Sequence, residues 1–434
     1  MDLMEKLVSL CLRRGFIYPS SEIYGGINGF WDYGPLGCEL RNNIKAAWWQ
    51  QVVREREDVV GLDSSIIAHP ETWVASGHVA NFHDPMVDCR LCKHRFRADQ
   101  IDAEDRCSES KDGKHDLTEP RQFNLMLKTS VGATEDASAT AYLRAETCQS
   151  IFLDFKRVMQ SSRQRPPFGI AQVGKAFRNE INPRNFIFRS REFEQMEMEF
   201  FTHPKDAGRW FEEWRELRMR WHQGIGIQPD KLRWHEHGDD ERPHYAAEAF
   251  DIEFEFPFGW RELEGIHNRT DYDLKAHSKH SGKELTYTDP DSKERYTPYV
   301  IETSVGVDRC LLAVLSSAYT EDEVGSEART LLRLSPALAP VKVAVLPLSK
   351  KLSEPTRRIA VDLRRRFHTV FDATGAIGRR YRRQDEIGTP NCVTSDYDSE
   401  QDHKVTVRER DSTEQERLGL DQLAAYLSER ILGY

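Results

Sequence analysis

Two segments between residues 169 and 201 alternate apolar and polar residues, and the loop that joins them is rich in arginine, asparagine and proline. The first segment ends at Arg178, and the second opens with Arg191 and Phe193. An arginine can bind a phosphate through two parallel hydrogen bonds, and an aromatic ring can stack on a base for ~1–3 kcal/mol. A hairpin of this kind can hold a nucleotide, although charges that alternate along a single strand are more typical of a solvated sheet face.

A second group of polar residues lies at 301–309, where a predicted strand runs into a predicted helix. The two-residue period of a strand places Glu302 and Ser304 on the same face. Gly306 allows a tight turn, and Arg309 falls in the first turn of the helix, from which it can reach a γ-phosphate or lie over an adenine. The alternative is an ordinary helix N-terminus with an exposed arginine.

Both segments resemble signature motifs of a known enzyme family. Residues 178–199 are similar to motif 2 of the class II aminoacyl-tRNA synthetases, and most closely to that of the homodimeric glycyl-tRNA synthetases. Residues 301–309 resemble motif 3 of that family. Residues 33–37, which lead into Trp48 and Trp49, resemble motif 1, whose helix builds the dimer interface in this class. The resemblance covers nearly the whole chain and implies that ATP activates glycine to glycyl-adenylate, which then reacts with the 3′ end of tRNA(Gly).

The fold implied by the resemblance is α+β, with an antiparallel-sheet class II catalytic domain carrying helices and a C-terminal α/β anticodon-binding domain. We expect the catalytic domain over residues 1–335, with insertions at about 85–138 and 203–248, and the anticodon-binding domain over 341–434. The implied partners are tRNA(Gly), glycine, ATP and a second copy of the chain.

The resemblance also implies the residues that bind ATP. Arg178 is expected at the α-phosphate, where negative charge grows as pyrophosphate leaves, and Phe193 on the adenine; Arg178 and Arg309 are the expected catalytic residues. Glu262, in a segment that resembles GELEG with Arg261 in place of the first glycine, is expected to bind Mg²⁺. The expected ATP contacts are Arg178, Asn179, Glu180, Phe188, Arg189, Ser190, Arg191, Glu192, Phe193, Glu262, Leu263, Gly306, Val307, Asp308 and Arg309.

Glycine has no side chain to grip, so a selective site must hold its ammonium and carboxylate groups and exclude any larger homologue by packing. Carboxylates around the ammonium can do the holding. Glu146 lies in a segment that resembles LRPET, with Ala145 in place of the proline, and Arg97 matches a substrate-contacting arginine of the family. The implied glycine contacts are Arg97, Glu146, Phe193, Glu194, Gln195, Met196, Glu197, Arg269, Glu302, Thr303, Ser304, Val305 and Gly306.

The cysteines are sparse, with eight among 434 residues, which favours reduced thiols and a cytoplasmic protein. Cys89 and Cys92 form half of a zinc-ribbon pattern, but no second CxxC pair follows. Closure by Cys107 and His115 is possible. We nevertheless expect a lost site, and structural zinc is the less favoured reading.

The composition is that of an ordinary globular protein, with 39% hydrophobic and 30% charged residues. No stretch approaches ~18 uninterrupted apolar residues, so we expect no membrane-spanning helix, and the N-terminus lacks the features of a secretory signal. The net charge of −10 argues against a protein coated in nucleic acid. The cluster Arg379, Arg380, Arg382 and Arg383 is the densest basic patch, and it can be an RNA contact or a solvated turn.

Periodicity predicts helices up to Arg14 and over 38–60, 141–158 and 307–319, strands at 193–201, 250–256 and 299–304, and a small α/β unit after the proline-rich linker at 334–340. Two other functions remain open. One is a non-catalytic nucleic-acid-binding relative of this fold, such as a polymerase accessory subunit, against which the presence of Arg178, Phe193 and Arg309 argues. The other is a synthetase for another small amino acid.

Overall fold

The computed structural model describes residues 2–101, 106–133, 139–243 and 245–432. The described α-helices are α1 (Leu3–Arg14), α2 (Pro35–Trp49), α3 (Pro70–Ala75), α4 (His78–Asn81), α5 (Cys148–Ser162), α6 (Ala207–Gly224), α7 (Tyr272–Ser281), α8 (Val307–Ala318), α9 (Ser353–Leu363), α10 (Ile377–Ile387), α11 (Ser399–Asp402) and α12 (Leu420–Leu432).

The described strands are β1 (Ile17–Pro19), β2 (Trp31–Tyr33), β3 (Val59–Gly61), β4 (Ile67–Ala68), β5 (His83–Asp88), β6 (Arg95–Arg97), β7 (Arg121–Asn124), β8 (Lys128–Ser130), β9 (Thr140–Leu143), β10 (Phe168–Phe177), β11 (Glu192–Thr202), β12 (Leu232–Glu236), β13 (Glu248–Phe256), β14 (Gly259–Thr270), β15 (Tyr287–Thr288), β16 (Arg295–Tyr296), β17 (Tyr299–Gly306), β18 (Tyr319–Val324), β19 (Glu327–Leu332), β20 (Val343–Pro347), β21 (Thr369–Phe371), β22 (Asn391–Ser395), β23 (Lys404–Glu409) and β24 (Gln415–Gly419).

A seven-stranded sheet in the order β12-β13-β14-β17-β11-β10-β3 forms the larger of the two regions. Its pairings are antiparallel except that of β10 with β3. Because side chains alternate along a strand, β11 turns Met196, Met198 and Phe200 to one face, where they join a hydrophobic core with α2, α6 and α8. The polar residues of β11 are thereby left on the other face, and the antiparallel-sheet fold expected from the sequence is confirmed.

Two of the predicted helices are wrong in their bounds. Residues 38–60 do not form one helix, because α2 ends at Trp49, a single π-helical segment follows over Gln50–Arg54, and β3 pairs with β10. Residues 141–158 are split, since β9 pairs with β4 and β8 before α5 begins at Cys148. Both errors arise where a short strand is fixed by a partner far away in the sequence.

The segments expected as insertions differ in how they attach to the fold. The segment 85–138 contributes most of β5 and the whole of β6, β7 and β8 to two small sheets, β6-β5-β7 and β4-β9-β8. The segment 203–248, in contrast, supplies α6, which buries Trp214 and Arg218, and the edge strand β12 of the main sheet. The segment 203–248 is therefore an integral part of the main sheet and its core.

The C-terminal region is a five-stranded sheet in the order β21-β20-β22-β23-β24 with its own hydrophobic core. Strands β20, β21 and β22 are parallel, as the α/β unit predicted from the sequence requires. No helix in the described part of the chain is long and apolar enough to cross a membrane.

The arginine cluster of this region is not the surface patch that the sequence suggested. Arg380 is buried, and its Nη1 donates to the carbonyls of Pro347 at 2.6 Å and Asp372 at 3.1 Å. Arg383 donates to the carboxylate of Asp372 at 3.2 Å. Of the four arginines only Arg379 is exposed, so most of the cluster stabilises α10.

Candidate active site

A cavity that is partly open to solvent lies on the polar face of the main sheet. The register of the strands builds its floor in two rows: Glu197 of β11 lies opposite Ser304 of β17, which lies opposite Gly265 of β14. One pleat further along, Glu302 of β17 lies between Glu199 and His267. Three strands that are far apart in the sequence therefore place acidic, hydroxyl and backbone groups side by side.

Buried carboxylates converge at one end of this cavity. Glu197, Glu199 and Glu302, together with Cys148, bring one ligand atom each to within 4.8 Å of one another. Glu146, just before α5, accepts hydrogen bonds from Cys148 Sγ at 3.0 Å and Gln149 Nε2 at 2.9 Å. The cluster can hold a small cation, either an ammonium group or a metal ion.

One arginine partly compensates these negative charges. Arg269 donates from Nη1 to Glu302 at 2.6 Å and from Nε to Asp273 at 2.8 Å. His267 Nδ1 lies 2.6 Å from the other oxygen of Glu302. Glu199 has no hydrogen-bond partner for either carboxylate oxygen among the described residues, so the cluster remains short of donors.

The protonation of the cluster follows from burial and from these partners. Burial, followed by the charges of Glu302 and Glu146, raises the pKa of Glu197 to about 7. Burial and Glu302 raise the pKa of Glu199 well above its usual range. Burial also disfavours the charged form of Glu146, but the charges of His78 and Arg269 outweigh it and hold this pKa well below its ordinary value. The cluster therefore holds protons that an incoming cation can replace.

Arginine and aromatic side chains line the other end of the cavity. The guanidinium of Arg178 lies 5.4 Å from the ring centres of Phe82 and Phe193, and its Nε donates to the carbonyl of Ala145 at 3.1 Å. The guanidinium of Arg309 lies 4.6 Å from the ring centre of Phe188. Cations beside flat aromatic faces suit a ligand that combines phosphates with a base.

A β-bulge sets the position of Glu262. The pairing of β13 with β14 shifts between Ile252 and Glu253, which leaves Leu263 as the extra residue. The alternation of β14 reverses there, so Glu262 and Gly265 both face the cavity while Glu264 pairs with buried Arg218 on the opposite face. Glu262 lies 3.0 Å from Arg309 Nη1, whose charge is the main cause of the lowered pKa of Glu262.

Asp308 links the cavity to the N-terminal helices. It lies in the first turn of α8, accepts a hydrogen bond from the backbone of Glu194 at 2.9 Å, and lies 3.4 Å from Arg41 of α2. It also accepts a hydrogen bond from Tyr33. Glu194 in turn pairs with Arg41 at 3.1 Å. Charged groups therefore tie β2, α2, β11 and α8 together behind the site.

The structure brings many of the residues implied by the family resemblance into this one cavity. Those that line it are Glu146, Arg178, Glu180, Phe188, Arg189, Ser190, Phe193, Gln195, Glu197, Glu262, Arg269, Glu302, Ser304, Gly306, Asp308 and Arg309.

The other expected contacts lie elsewhere. Met196, Leu263, Val305 and Val307 are part of the hydrophobic core, and Thr303, opposite Met198 and Ile266, shares their face of the sheet. These five side chains point away from the cavity because strand alternation and the bulge turn them to the core.

The remaining five residues are polar and are occupied by protein partners. Arg191 donates to the carbonyls of Glu180 and Asn28, Glu192 pairs with Lys175, and Glu194 pairs with Arg41. Asn179 donates its backbone N–H to Leu125, and Arg97 pairs with Asp84 at 2.8 Å and with Asp99 at 2.7 Å. None of these five lines the cavity in the structure.

Four cavity residues were not anticipated from the sequence: Ile187, Tyr245, Gly265 and His267. Gly265 and His267 lie three and five residues after Glu262, so strand period alone assigns them to the opposite face, and only the bulge at Leu263 turns them to the cavity. Tyr245, whose ring lies 4.0 Å from the guanidinium of Arg269, is in an irregular segment where no periodic pattern marks it.

The chain is similar to known proteins along its whole length. Residues 131–318 match the family model described as tRNA synthetase class II core domain (G, H, P, S and T), and residues 342–430 match the model described as Anticodon binding domain. The glycine–tRNA ligase of Caldanaerobacter subterraneus subsp. tengcongensis is 53% identical over 454 residues, covering 99% of this chain and 98% of its own.

Two further relatives give the same result. The glycine–tRNA ligase of Treponema denticola is 52% identical over 440 residues, and that of Borreliella burgdorferi is 54% identical over 437 residues. Each alignment covers 99% of this chain and 98% of the relative. Similarity at this level extends across both regions of the fold.

Proposed function

Because the chain belongs to the glycine–tRNA ligases, with a class II synthetase core and an anticodon-binding domain, we propose that its cavity is where glycine and ATP form glycyl-adenylate. The activity of the family is the ATP-dependent joining of glycine to tRNA(Gly), and this chain is such a ligase. Full-length similarity sets aside both a non-catalytic relative and a synthetase for another amino acid. The observation that carries our proposal is the meeting of an acidic end and an arginine-rich end in one cavity.

We assign the acidic end to the ammonium group of glycine. Glu146 and Glu302 are ionised, and Glu197 has a pKa of about 7, so an ammonium group can take the place of a proton shared within the cluster. Ser304, opposite Glu197 in the sheet register, accepts a hydrogen bond from Gln195 at 3.3 Å. The floor beneath the substrate then consists of short side chains and the backbone of Gly265, and the surrounding charged groups leave no apolar niche for a larger side chain.

We assign the other end to ATP. Arg178 neutralises the α-phosphate, and Phe193 stacks on the adenine, while Arg309 serves the triphosphate or the adenine. Glu262 suits a magnesium ligand because its lowered pKa keeps it ionised and its side chain is half exposed to the cavity. Mg²⁺ bound there would neutralise phosphate charge. Arg309 pairs with this carboxylate at 3.0 Å, and phosphates that bind Arg309 would release it.

The reaction requires positioning more than acid–base chemistry. A carboxylate oxygen of glycine attacks the α-phosphorus, a new O–P bond forms, and the bond to the β-phosphate bridging oxygen breaks to release pyrophosphate. The oxygen of a terminal tRNA hydroxyl then attacks the glycyl carbonyl carbon, an ester bond forms, the bond from that carbon to the phosphate oxygen breaks to release AMP, and the hydroxyl proton passes to the departing phosphate or to water. The first nucleophile is already an anion, so no protein base is needed, and the arginines stabilise the charge that develops.

We also propose a C₂ homodimer built on the N-terminal region. Ile23 and Tyr24 are 88% and 87% exposed on a short ordered turn, and Ile27 is 58% exposed nearby. Such a concentration of apolar surface is typical of an interface. Trp48, which the resemblance to motif 1 suggested for this role, is instead fully buried in its own core.

We propose residues 1–335 and 341–434 as the catalytic and anticodon-binding domains, and the cytoplasm as the site of action, since none of the eight cysteines is in a disulfide. The decisive test of the catalytic proposal is amino-acid-dependent exchange of pyrophosphate into ATP, measured with each standard amino acid. Exchange should depend on glycine, and exchange supported equally by alanine or serine would contradict the assigned pocket.

A further inference from the structure

Four metal-ligating side chains converge at the end of the small sheet β6-β5-β7. Cys89, Cys92, Cys107 and His115 bring one ligand atom each to within 4.8 Å of one another. Cys89 Sγ lies 3.9 Å from Cys107 Sγ, and Cys92 Sγ lies 3.7 Å from His115 Nδ1. None of these four residues lines the cavity, and none takes part in the proposed reaction.

The spacing matches the edges of a zinc tetrahedron. With Zn–S bonds of ~2.3 Å and Zn–N bonds of ~2.1 Å, two sulfurs lie about 3.8 Å apart, and a sulfur and a nitrogen about 3.6 Å apart. We propose that these four residues bind a structural Zn²⁺ ion. The sequence has no second CxxC pair and therefore favours a lost site. In the structure, however, Cys107 and His115 supply the third and fourth ligands from a neighbouring loop.

The backbone around the ligands forms a defined turn. Cys89 follows β5 and Cys92 precedes β6, and the turn between them is closed by hydrogen bonds from Lys93 N to Cys89 O at 3.0 Å and from Cys89 N to His94 O at 2.9 Å. The loop that carries Cys107 is closed by its own bond from Cys107 N to Gly113 O at 2.9 Å. Two separately closed turns thus present their ligands to the same point.

This segment has almost no hydrophobic core to hold it together. Among the described residues from 90 to 124, Cys107 is the only buried apolar side chain. Small units without an apolar core commonly depend on a metal or on disulfides for their order. A bond between the two buried cysteines would need their sulfurs at about 2.05 Å, far less than the observed 3.9 Å, and would leave Cys92 and His115 unused.

The metal would also support the cavity indirectly. The hairpin leads from Cys92 through β6 to Gln100, which accepts hydrogen bonds from Arg189 at 2.9 Å and Arg184 at 3.2 Å. Arg189 lines the cavity. We therefore expect loss of the metal to weaken ATP binding. This expectation rests on the proposed function, whereas metal binding itself does not depend on it.

The experiment measures zinc in the full-length protein after purification with reductant and desalting. We expect about one Zn²⁺ per chain, loss of this metal in Cys107→Ser and His115→Ala, and its retention in His115→Cys, which restores a thiolate ligand. Cys38→Ser, which removes an exposed cysteine elsewhere, should keep its zinc. Replacement by Co²⁺ should give the intense visible absorption of a tetrahedral thiolate site, and removal by a chelator should lower Tm.

Three results would overturn the proposal. The first is a protein that contains no zinc and shows no thiolate absorption when titrated with Co²⁺. The second is a Cys89–Cys107 disulfide in the metal-free native chain. The third is full zinc content in the Cys107→Ser variant, which would place the metal elsewhere, for example at the surface group of His235, His237 and Glu241. If Cys107→Ser fails to fold, the comparison of His115→Cys with His115→Ala decides the matter, while glycine-dependent exchange separately reports the proposed function.

Discussion

Glu197 shows how a single residue can be adjusted by its neighbours for a charged ligand. Burial and the charges of Glu302 and Glu146 raise its pKa from an ordinary 4.5 to about 7, and Thr147 donates its backbone N–H to this carboxylate at 3.0 Å. The Glu197 carboxyl group therefore loses its proton near neutral pH, where a bound cation can take the place of that proton. A glycine ammonium group stabilises the ionised form, so binding and protonation compete.

We predict a pH dependence of glycine binding from this competition. The glycine KM in pyrophosphate exchange at saturating ATP should rise roughly tenfold per pH unit below about pH 7, and the ATP KM should change little. Glu197→Gln should raise the glycine KM and remove this dependence. A glycine KM that stays flat from about pH 6 to about pH 8 would contradict the assignment.

The same pKa has a consequence for stability with a defined sign. A carboxyl whose folded pKa exceeds its unfolded value stabilises the protein below the unfolded pKa, and this contribution is lost as the pH rises through the folded pKa. The free energy of unfolding of the glycine-free protein should therefore fall between about pH 4.5 and about pH 7. Saturating glycine should reduce that fall, and so should Glu197→Gln.

Arg178 is expected to act mainly on the reaction rather than on the fold. Arg178→Ala removes a cation from the α-phosphate and should slow glycine-dependent pyrophosphate exchange by ~10²-fold or more, with a small change in Tm. Arg157→Ala is the matched control, because that side chain is 86% exposed on α5, and it should leave exchange unchanged. Near-normal exchange in Arg178→Ala would remove the arginine from the site.

At this scale the sequence predicts residues that belong to a repeated pattern or to a recognisable motif. Strand period alone places Glu302 and Ser304 on one face of a strand, and the resemblance adds Glu146, Glu197 and Glu262. The resemblance does not distinguish side chains that line the cavity from core side chains such as those of Met196 and Leu263. Strand alternation and the bulge of β14 decide which way each of these side chains points. Tyr245 was missed because its position depends on an irregular loop.

The element that most constrains the catalytic region is α2, which lies against the chain that leads into β1. A Cβ added to Gly37 would lie 1.8 Å from the carbonyl oxygen of Phe16. Because that neighbour is backbone, α2 would have to move, and with it Arg41, which pairs with Glu194 and Asp308. The close packing at Gly37 thus fixes the position of Arg41 and its ion pairs beside the site.

Gly37→Ala should therefore destabilise the protein by about 2 kcal/mol or more, as measured by urea unfolding. Gly208→Ala is the matched control in α6, where an added Cβ meets no atom within 4 Å, and it should be neutral or stabilising by up to ~1 kcal/mol. Equal stabilities of the two variants would mean that α2 can shift without cost.

Elements fixed by local signals were predicted well, and those fixed by distant partners were not. The capping box of Asp2 and Glu5 and the left-handed Gly15 delimit α1 as expected, and β17 and α8 lie within two residues of their predicted bounds. In contrast, β3 and β9 each depend on pairing with strands far away in the chain. Their short apolar stretches continue the pattern of the neighbouring helices, so the sequence predicts helix at both places.

For the whole molecule, we predict a dimer at micromolar concentration. Sedimentation should give about twice the chain mass of 50.3 kDa, because the apolar turn at Ile23 and Tyr24 is stabilised when a second copy covers it. The double variant Ile23→Glu/Tyr24→Glu should shift the protein towards monomers. Val361→Glu, at an exposed position on α9 of the other domain, should remain dimeric; a monomeric unmodified protein would refute the proposal.

The two domains are joined by a buried charged contact. Arg329 of β19 donates to the carbonyl of Arg410 at 2.7 Å and lies 3.4 Å from Asp385. Asp385 also accepts a bond from Arg408 at 2.7 Å. The C-terminal domain nevertheless has its own hydrophobic core, and every residue that lines the cavity belongs to the part of the chain that ends at Arg309.

A chain that ends at Ala339 should therefore keep part of its glycine-dependent pyrophosphate exchange while it loses most tRNA charging, because the contacts to the anticodon are gone. Arg329 retains its pairing with Asp322 at 2.7 Å in such a chain, although Leu334 and Leu338 lose part of their cover. Circular dichroism and Tm must first show that it is folded. A folded truncation that charges tRNA as well as the full chain would show that the C-terminal domain is not needed for recognition.

In the intact chain, Arg365→Gln/Arg366→Gln removes two exposed cations and should weaken tRNA binding and its salt dependence without affecting exchange.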